Sequence, residues 1–222
     1  MRFVRVRLHA PAAGLARVAD FYGERLGLER DGSSFAVGET ELAFGAGPGE
    51  PFYHFALLVP GDRFDTALEW ARERTELLPY RETGEVVFDF DNWDALACYF
   101  HDPAGNIVEL IAHRGVDESG RDGAFDASEL VGLSELGLVG EPQALARPLI
   151  EQLGLELWDG TLDEPGRVAF VGEKARTLIL APPGRGWLPT GRPAELHAVE
   201  AVLGDGSSLE LRADGTLAGA RA

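Results

Sequence analysis

Residues 99–110 read Tyr99-Phe100-His101-Asp102-Pro103-Ala104-Gly105-Asn106-Ile107-Val108-Glu109-Leu110, and this stretch predicts two strands joined by a tight turn. Pro103 presets φ for a turn, and Gly105 and Asn106 tolerate the left-handed angles that a hairpin connection needs. The flanking residues are apolar or alternate, as half-buried strands do, so Glu109 lies in the middle of the returning strand. A buried carboxylate is costly unless it is paired, hydrogen-bonded or bound to a metal. Glu109 therefore either faces solvent or lines a cavity.

The composition is that of an ordinary globular protein with a strong excess of acids. The chain has 222 residues and a formal net charge of −17, which disfavours nucleic acids and anionic membrane surfaces as partners. No segment approaches the roughly 18 apolar residues of a membrane span, and the first residues do not resemble a secretory signal. We therefore expect a cytoplasmic protein, and the charge does little to identify its small-molecule partner. The single Cys98 lies in an apolar strand and is expected to be a buried hydrophobic side chain.

The chain contains an internal repeat of a strand, a helix and three further strands. The segment His54–Pro60 aligns without a gap on Arg5–Pro11, and each is followed by an amphipathic helical pattern. A third, imperfect copy begins near residue 130, and the chain ends in a hairpin pattern around Gly204-Asp205-Gly206. The predicted division is modules at 1–49 and 50–114, a connector at 115–129, and a third module with a C-terminal hairpin at 130–222.

Several short motifs occur along the chain in a fixed order: Asp20-Phe21-Tyr22, Leu26-Gly27-Leu28, His54-Phe55-Ala56, Asp102-Pro103-Ala104-Gly105-Asn106 and Glu109-Leu110. In this order they resemble the vicinal oxygen chelate superfamily, which contains glyoxalase I, extradiol dioxygenases, fosfomycin-resistance enzymes and bleomycin-binding proteins. The resemblance implies an α+β fold of tandem βαβββ modules. It also implies that modules 1–49 and 50–114 pair into a cup-shaped sheet enclosing a site for one divalent ion, such as Zn, Ni, Mn or Fe.

Carried over residue by residue, the resemblance makes His54, Glu109 and Glu41 the metal ligands, with His54 and Glu109 also catalytic. The first strand departs from the pattern because the alignment puts Arg5 where it would supply a ligand. A fixed cation repels a divalent ion at close range, so the sequence leaves open whether any metal is bound.

Three functional hypotheses remain open at this stage. The first is an enzyme, a lyase, isomerase or dioxygenase, that polarises adjacent oxygens of a small substrate through the metal. The second is a metal-free protein that binds an anionic or aromatic ligand between Arg5, Arg7, Trp93 and Tyr99. The third is an assembly unit that forms a homodimer through the third module, which we interpret as structural although Glu135 lies in its first strand.

Overall fold

The computed structural model describes residues 1–222 and contains three α-helices and two large sheets. The first module consists of β1 (Phe3–Pro11), α1 (Leu15–Asp20), β2 (Arg30–Asp31), β3 (Ser34–Val37) and β4 (Thr40–Gly47). The second consists of β5 (His54–Val59), α2 (Phe64–Arg74), β6 (Phe88–Phe90), β7 (Ala95–His101) and β8 (Ile107–His113). The predicted α+β fold of βαβββ modules is confirmed.

The remainder of the chain contains one complete module and one reduced to strands. The third module consists of β9 (Gly132–Val139), α3 (Pro142–Glu151), β10 (Leu157–Gly160), β11 (Ala169–Glu173) and β12 (Arg176–Ala181). A short hairpin follows, formed by β13 (Gly186–Trp187) and β14 (Arg192–Pro193). The C-terminal strands are β15 (Val199–Leu203), β16 (Ser208–Leu211) and β17 (Leu217–Ala220). None of the three helices has the length and apolar character that a membrane span requires.

The modules pair in a different order from the predicted one. An eight-stranded sheet has the order β10-β11-β12-β9-β5-β8-β7-β6, so the second module pairs with the third. A seven-stranded sheet has the order β17-β16-β15-β1-β4-β3-β2, so the first module pairs with the C-terminal strands. The predicted pairing of 1–49 with 50–114 is therefore absent, and the third module is part of a paired sheet within the same chain.

The burial of the first strands gives a physical reason for this order. All residues of β5 and of β9 are buried, whereas β1 exposes Arg5 and Arg7 on one face. Pairing β1 with β5 would place two guanidinium groups in an apolar cup, which is costly without acidic partners. Pairing β5 with β9 joins two strands that both tolerate complete burial.

The turn after β7 fixes the start of β8 and the position of the second module against the first. Asp102 Oδ1 accepts hydrogen bonds from the backbone N–H groups of Ala104 (2.9 Å) and Asn106 (3.0 Å). Its Oδ2 accepts from the Asn106 side chain (2.7 Å) and from the hydroxyl of Tyr22 (2.8 Å), which follows α1. Gly105 has a φ of +81°, as the sequence predicted for this turn. The Asp102–Asn106 motif thus has a structural role.

The connector at 115–129 is held against α2 by a buried ion pair. Arg63 Nε lies 3.0 Å from Glu129 Oε2, and the two side chains are 5% and 3% exposed. The Arg63 guanidinium also donates to the backbone oxygens of Arg121 and Gly123. These contacts place the connector so that β9 enters the sheet beside β5.

Candidate metal centre

Three adjacent strands, β8, β5 and β9, place two acids beside one small residue. Ala56 in β5 lies opposite Glu109 across the parallel pairing with β8. Ala56 also lies opposite Glu135 across the antiparallel pairing with β9. His54 is two residues before Ala56, so its side chain points to the same face of the sheet. The register alone therefore brings one imidazole and two carboxylates to one place in the cup.

The three side chains form a compact and buried cluster. Nε2 of His54 lies 3.5 Å from Oε2 of Glu109, and one potential ligand atom from each of His54, Glu109 and Glu135 lies within 4.8 Å of the others. The relative exposures of these residues are 6%, 2% and 3%. Acids at this depth need a counter-charge or protons, because burial penalises the ionised form.

The orientation of His54 is fixed by its two neighbours. Nδ1 lies 3.1 Å from the backbone oxygen of Ile107, and because a carbonyl can only accept, this nitrogen donates. Nε2 then presents its lone pair to the two glutamates. Burial lowers the pKa of His54 to about 4, so the ring is neutral near pH 7. The ring of Trp187 packs against the imidazole at a centroid distance of 4.9 Å.

The two carboxyl groups are held in a protein environment that favours their neutral forms. Burial raises the pKa of Glu109 well above its usual range, and the charge of Glu135 raises it further. Burial likewise raises the pKa of Glu135. Tyr99 lies opposite Glu109 on β7, and burial, followed by the charge of Glu109, raises the pKa of its phenol. A bound cation would reverse these penalties, since it would stabilise both carboxylates in their ionised form.

The cluster opens into a cavity of about 100 Å³ with mainly apolar walls. In addition to the three clustered side chains, its lining consists of Phe90, Trp93, Tyr99, Val168, Phe170, Ile179, Arg185, Gly186, Trp187 and Leu188. This volume holds several water molecules or part of a small ligand, since one water needs about 10–15 Å³ of such space.

The loop that connects β12 to β15 covers one side of the cavity, and we call residues 182–193 the cover loop. Trp187 extends from it onto His54 and is buried. Arg192 attaches its far end, with the guanidinium carbon 3.3 Å from the ring centroid of Phe52 and a hydrogen bond of 3.0 Å to the backbone oxygen of Gly105. The cover loop therefore makes specific contacts with the second module and brings Trp187 and Arg185 to the site.

The structure separates the residues that the sequence grouped into one site. His54, Glu109, Trp93 and Tyr99 lie together around the cavity. Arg5 and Arg7 lie on the exposed face of the seven-stranded sheet. A cavity that contains all four predicted ligand-binding residues is therefore absent.

Glu41 also belongs to the other sheet, where its carboxylate is already engaged. It lies 2.7 Å from the Arg5 guanidinium and accepts a hydrogen bond of 2.8 Å from Ser34.

The alignment that equates Arg5 with His54 explains why Glu41 does not correspond to Glu109. Glu109 lies opposite Ala56, the equivalent of Arg7, and the residue opposite Arg7 on β4 is Ala43. Equating Glu41 with Glu109 had therefore placed β4 two residues out of register with β8.

Glu135 is the clustered residue that the sequence reasoning assigned to a structural module. The signal was present, because Glu135 lies within the apolar segment Leu133–Val139 just as Glu109 lies within Ile107–Ile111. What the sequence did not reveal was that β9 pairs with β5 and so turns Glu135 into the same cup.

No protein-family model and no curated protein matches this sequence. Among solved structures, the chain is similar to a "putative dioxygenase" from Bacillus subtilis subsp. subtilis str. 168, with a TM-score of 0.57 and 13% identity over 100% of this chain and 84% of that chain. A mutant of glyoxalase I from Zea mays gives a TM-score of 0.54 and 14% identity over 99% of this chain and 92% of that chain. The chain therefore shares the fold of these dioxygenase and glyoxalase I structures, which is the fold that the motifs predicted.

Proposed function

We propose that this protein is a metal-dependent enzyme that acts on two adjacent oxygens of a small molecule, with the metal held by His54, Glu109 and Glu135. The observation that carries the proposal is the buried cluster itself. One neutral imidazole and two carboxyl groups offer ligand atoms within 4.8 Å of one another, and no Lys or Arg nitrogen lies within 4.0 Å of either carboxylate.

The chemistry of these donors fits a divalent first-row ion. Imidazole nitrogen and carboxylate oxygen are ligands that suit Zn, Mn, Ni and ferrous iron, and two carboxylates balance the charge of the ion. The set has one histidine and two carboxylates, which distinguishes it from the two-histidine triad of many nonheme iron enzymes. The hydrogen bond from His54 to the Ile107 carbonyl is the type of outer contact that orients metal-binding histidines.

A bound divalent ion would supply Lewis acidity to oxygens of the substrate. The chain's own residues would do the rest. The cover loop and the aromatic walls would limit the access of water, Trp187 would restrict the His54 ring, and the Tyr99 phenol would hold its proton near Glu109. A proton donor in this position supports a lyase, isomerase or dioxygenase reaction at a polarised carbonyl or enol.

Metal titration of the purified protein tests the proposal. After treatment with a chelator, we expect Zn²⁺, Mn²⁺ or Ni²⁺ to bind with a stoichiometry near one and to raise the melting temperature, since an ion at 100 times its Kd stabilises the native state by about 2.7 kcal/mol. Glu109→Gln should abolish most of this shift. Glu41→Gln is the matched control, and it should leave metal binding unchanged because Glu41 lies in the other sheet.

Two outcomes would contradict the proposal. If no ion binds, the remaining function of the cup is that of a metal-free binding protein. If Glu41→Gln weakens binding as much as Glu109→Gln, the ligands are not those of the buried cluster.

A further inference from the structure

The walls of the cavity contain more aromatic side chains than a metal centre alone requires. Trp93 and Phe170 meet edge to face at a centroid distance of 4.6 Å, and Phe90 lies 5.8 Å from Trp93. All three line the cavity and are only half-buried. Flat, rigid rings of this kind favour a planar ligand, because stacked and edge-to-face ring contacts stabilise beyond simple area burial.

One cation lies at the mouth of this aromatic cavity. Arg185 belongs to the cover loop, lines the cavity, and is exposed. Its only protein hydrogen bond from the guanidinium is to the adjacent backbone oxygen of Gly186, and it has no carboxylate within 4.0 Å. Its remaining donors are therefore free for a ligand, and a guanidinium binds a carboxylate or another oxyanion through paired hydrogen bonds.

The overall negative charge of the chain supports the interpretation of Arg185 as an anion-binding residue. With a net charge of −17, the protein repels anions at long range, so recognition of an anionic ligand needs a cation at the site itself. The lining of the cavity contains one Lys or Arg residue, and that residue is Arg185.

We infer that the substrate is a small planar anion, with an aromatic or conjugated ring between Trp93, Phe170 and Trp187 and a negatively charged group at Arg185. This inference depends on the proposed function only for the two adjacent oxygens that would face His54, Glu109 and Glu135. The ring and the charge are recognised by side chains outside the metal cluster, so they can be tested separately.

Three matched probes separate the two features. Benzoate has a ring and a charge, benzamide has the ring without the charge, and cyclohexanecarboxylate has the charge without a planar ring. Binding is followed by quenching of tryptophan fluorescence, since Trp93 and Trp187 line the cavity, and by calorimetry, with and without saturating Zn²⁺. We expect benzoate to bind about tenfold more tightly than either other probe, the loss expected for one charge-assisted contact or one aromatic contact.

Two arginine variants test where the charge is recognised. Arg185→Gln should remove the preference for benzoate over benzamide, and Arg147→Gln, an exposed arginine on α3, should leave it intact. Equal binding of the three probes, or an equal effect of the two variants, would overturn the inference. Zinc binding without benzoate preference would leave the proposed function standing, whereas benzoate preference without zinc binding would contradict the metal centre but support the ligand class.

Discussion

Glu200 occupies in the seven-stranded sheet the register that Glu135 occupies in the eight-stranded sheet. Glu135 lies opposite Ala56 across β9 and β5, and Glu200 lies opposite Arg7, the residue aligned with Ala56, across β15 and β1. The two sheets therefore have the same strand register at this position. Only one of them has the histidine and the second acid, because Arg5 and Ala43 occupy those positions in the other.

This equivalence provides a matched pair of variants for the metal centre. Glu135→Gln should weaken binding of Zn²⁺ by at least about tenfold, since even loss of an outer contact to a metal ligand costs 10–100-fold. Glu200→Gln makes the same chemical change at the same register of the other sheet and should leave the Kd unchanged. Isothermal titration of both variants measures the difference, and an unchanged Kd for Glu135→Gln would show that Glu135 is not a ligand.

His113 should make stability depend on pH. It lies at the end of β8, it is fully buried, and neither ring nitrogen has a hydrogen-bond partner. Burial lowers its pKa to about 4 from 6.5, so the unfolded chain takes up a proton on acidification before the native state does. The stabilisation is complete above about pH 6.5 and is lost as the pH falls toward 4, with a total of about 3 kcal/mol for this shift.

His113→Phe removes this titrating group while keeping an aromatic ring. Between pH 7 and pH 4, the free energy of unfolding of the wild type should fall by about 3 kcal/mol more than that of the variant. Urea unfolding of protein treated with a chelator, at a series of pH values, measures the free energy of unfolding against pH for the wild type and the variant. Parallel curves would mean that His113 titrates normally in the native state.

The module pattern and the local elements could be predicted from the sequence because they depend on short-range signals. The turn at Asp102–Asn106 is indicated by its turn-forming residues Pro103, Gly105 and Asn106. The repeat of Arg5–Pro11 as His54–Pro60 is visible in the sequence alone. These signals also found His54 and Glu109, which lie together in the cup as expected.

The partner of each module could not be predicted in the same way. Strand pairing between modules depends on which faces are buried in the final fold, and the sequence of β1 differs from that of β5 mainly in Arg5 and Arg7 on one face. The assumption that consecutive modules pair put Glu41 in place of Glu135. The predicted cluster therefore contained Glu41 instead of Glu135, and two predicted binding residues lie on another surface.

Arg63 should be essential for the stability of the connector. Arg63→Met leaves Glu129 buried without its partner, and breaking a buried ion pair on one side costs about 3–5 kcal/mol. The double variant with Glu129→Met removes the stranded charge and should recover part of the loss. Arg114→Met breaks an exposed pair with Asp94 and should have a much smaller effect. Denaturant unfolding measures all three, and similar effects of the two single variants would contradict the prediction.

Gly137 leaves the space into which Trp187 packs beside His54. A Cβ atom at residue 137 would lie 2.9 Å from the backbone oxygen of His54 and 3.0 Å from the indole of Trp187. Both distances are shorter than ordinary van der Waals contact, so Gly137→Ala must displace the cover loop or β5, at a cost typical of overpacking, about 1–3 kcal/mol. We expect a lower melting temperature, increased solvent exposure of Trp187 by fluorescence, and weaker Zn²⁺ binding.

Gly23→Ala is the control, since its Cβ would have no neighbour closer than 3.7 Å, and it should leave metal binding unchanged. Unaltered fluorescence and zinc affinity in Gly137→Ala would show that Trp187 does not position His54.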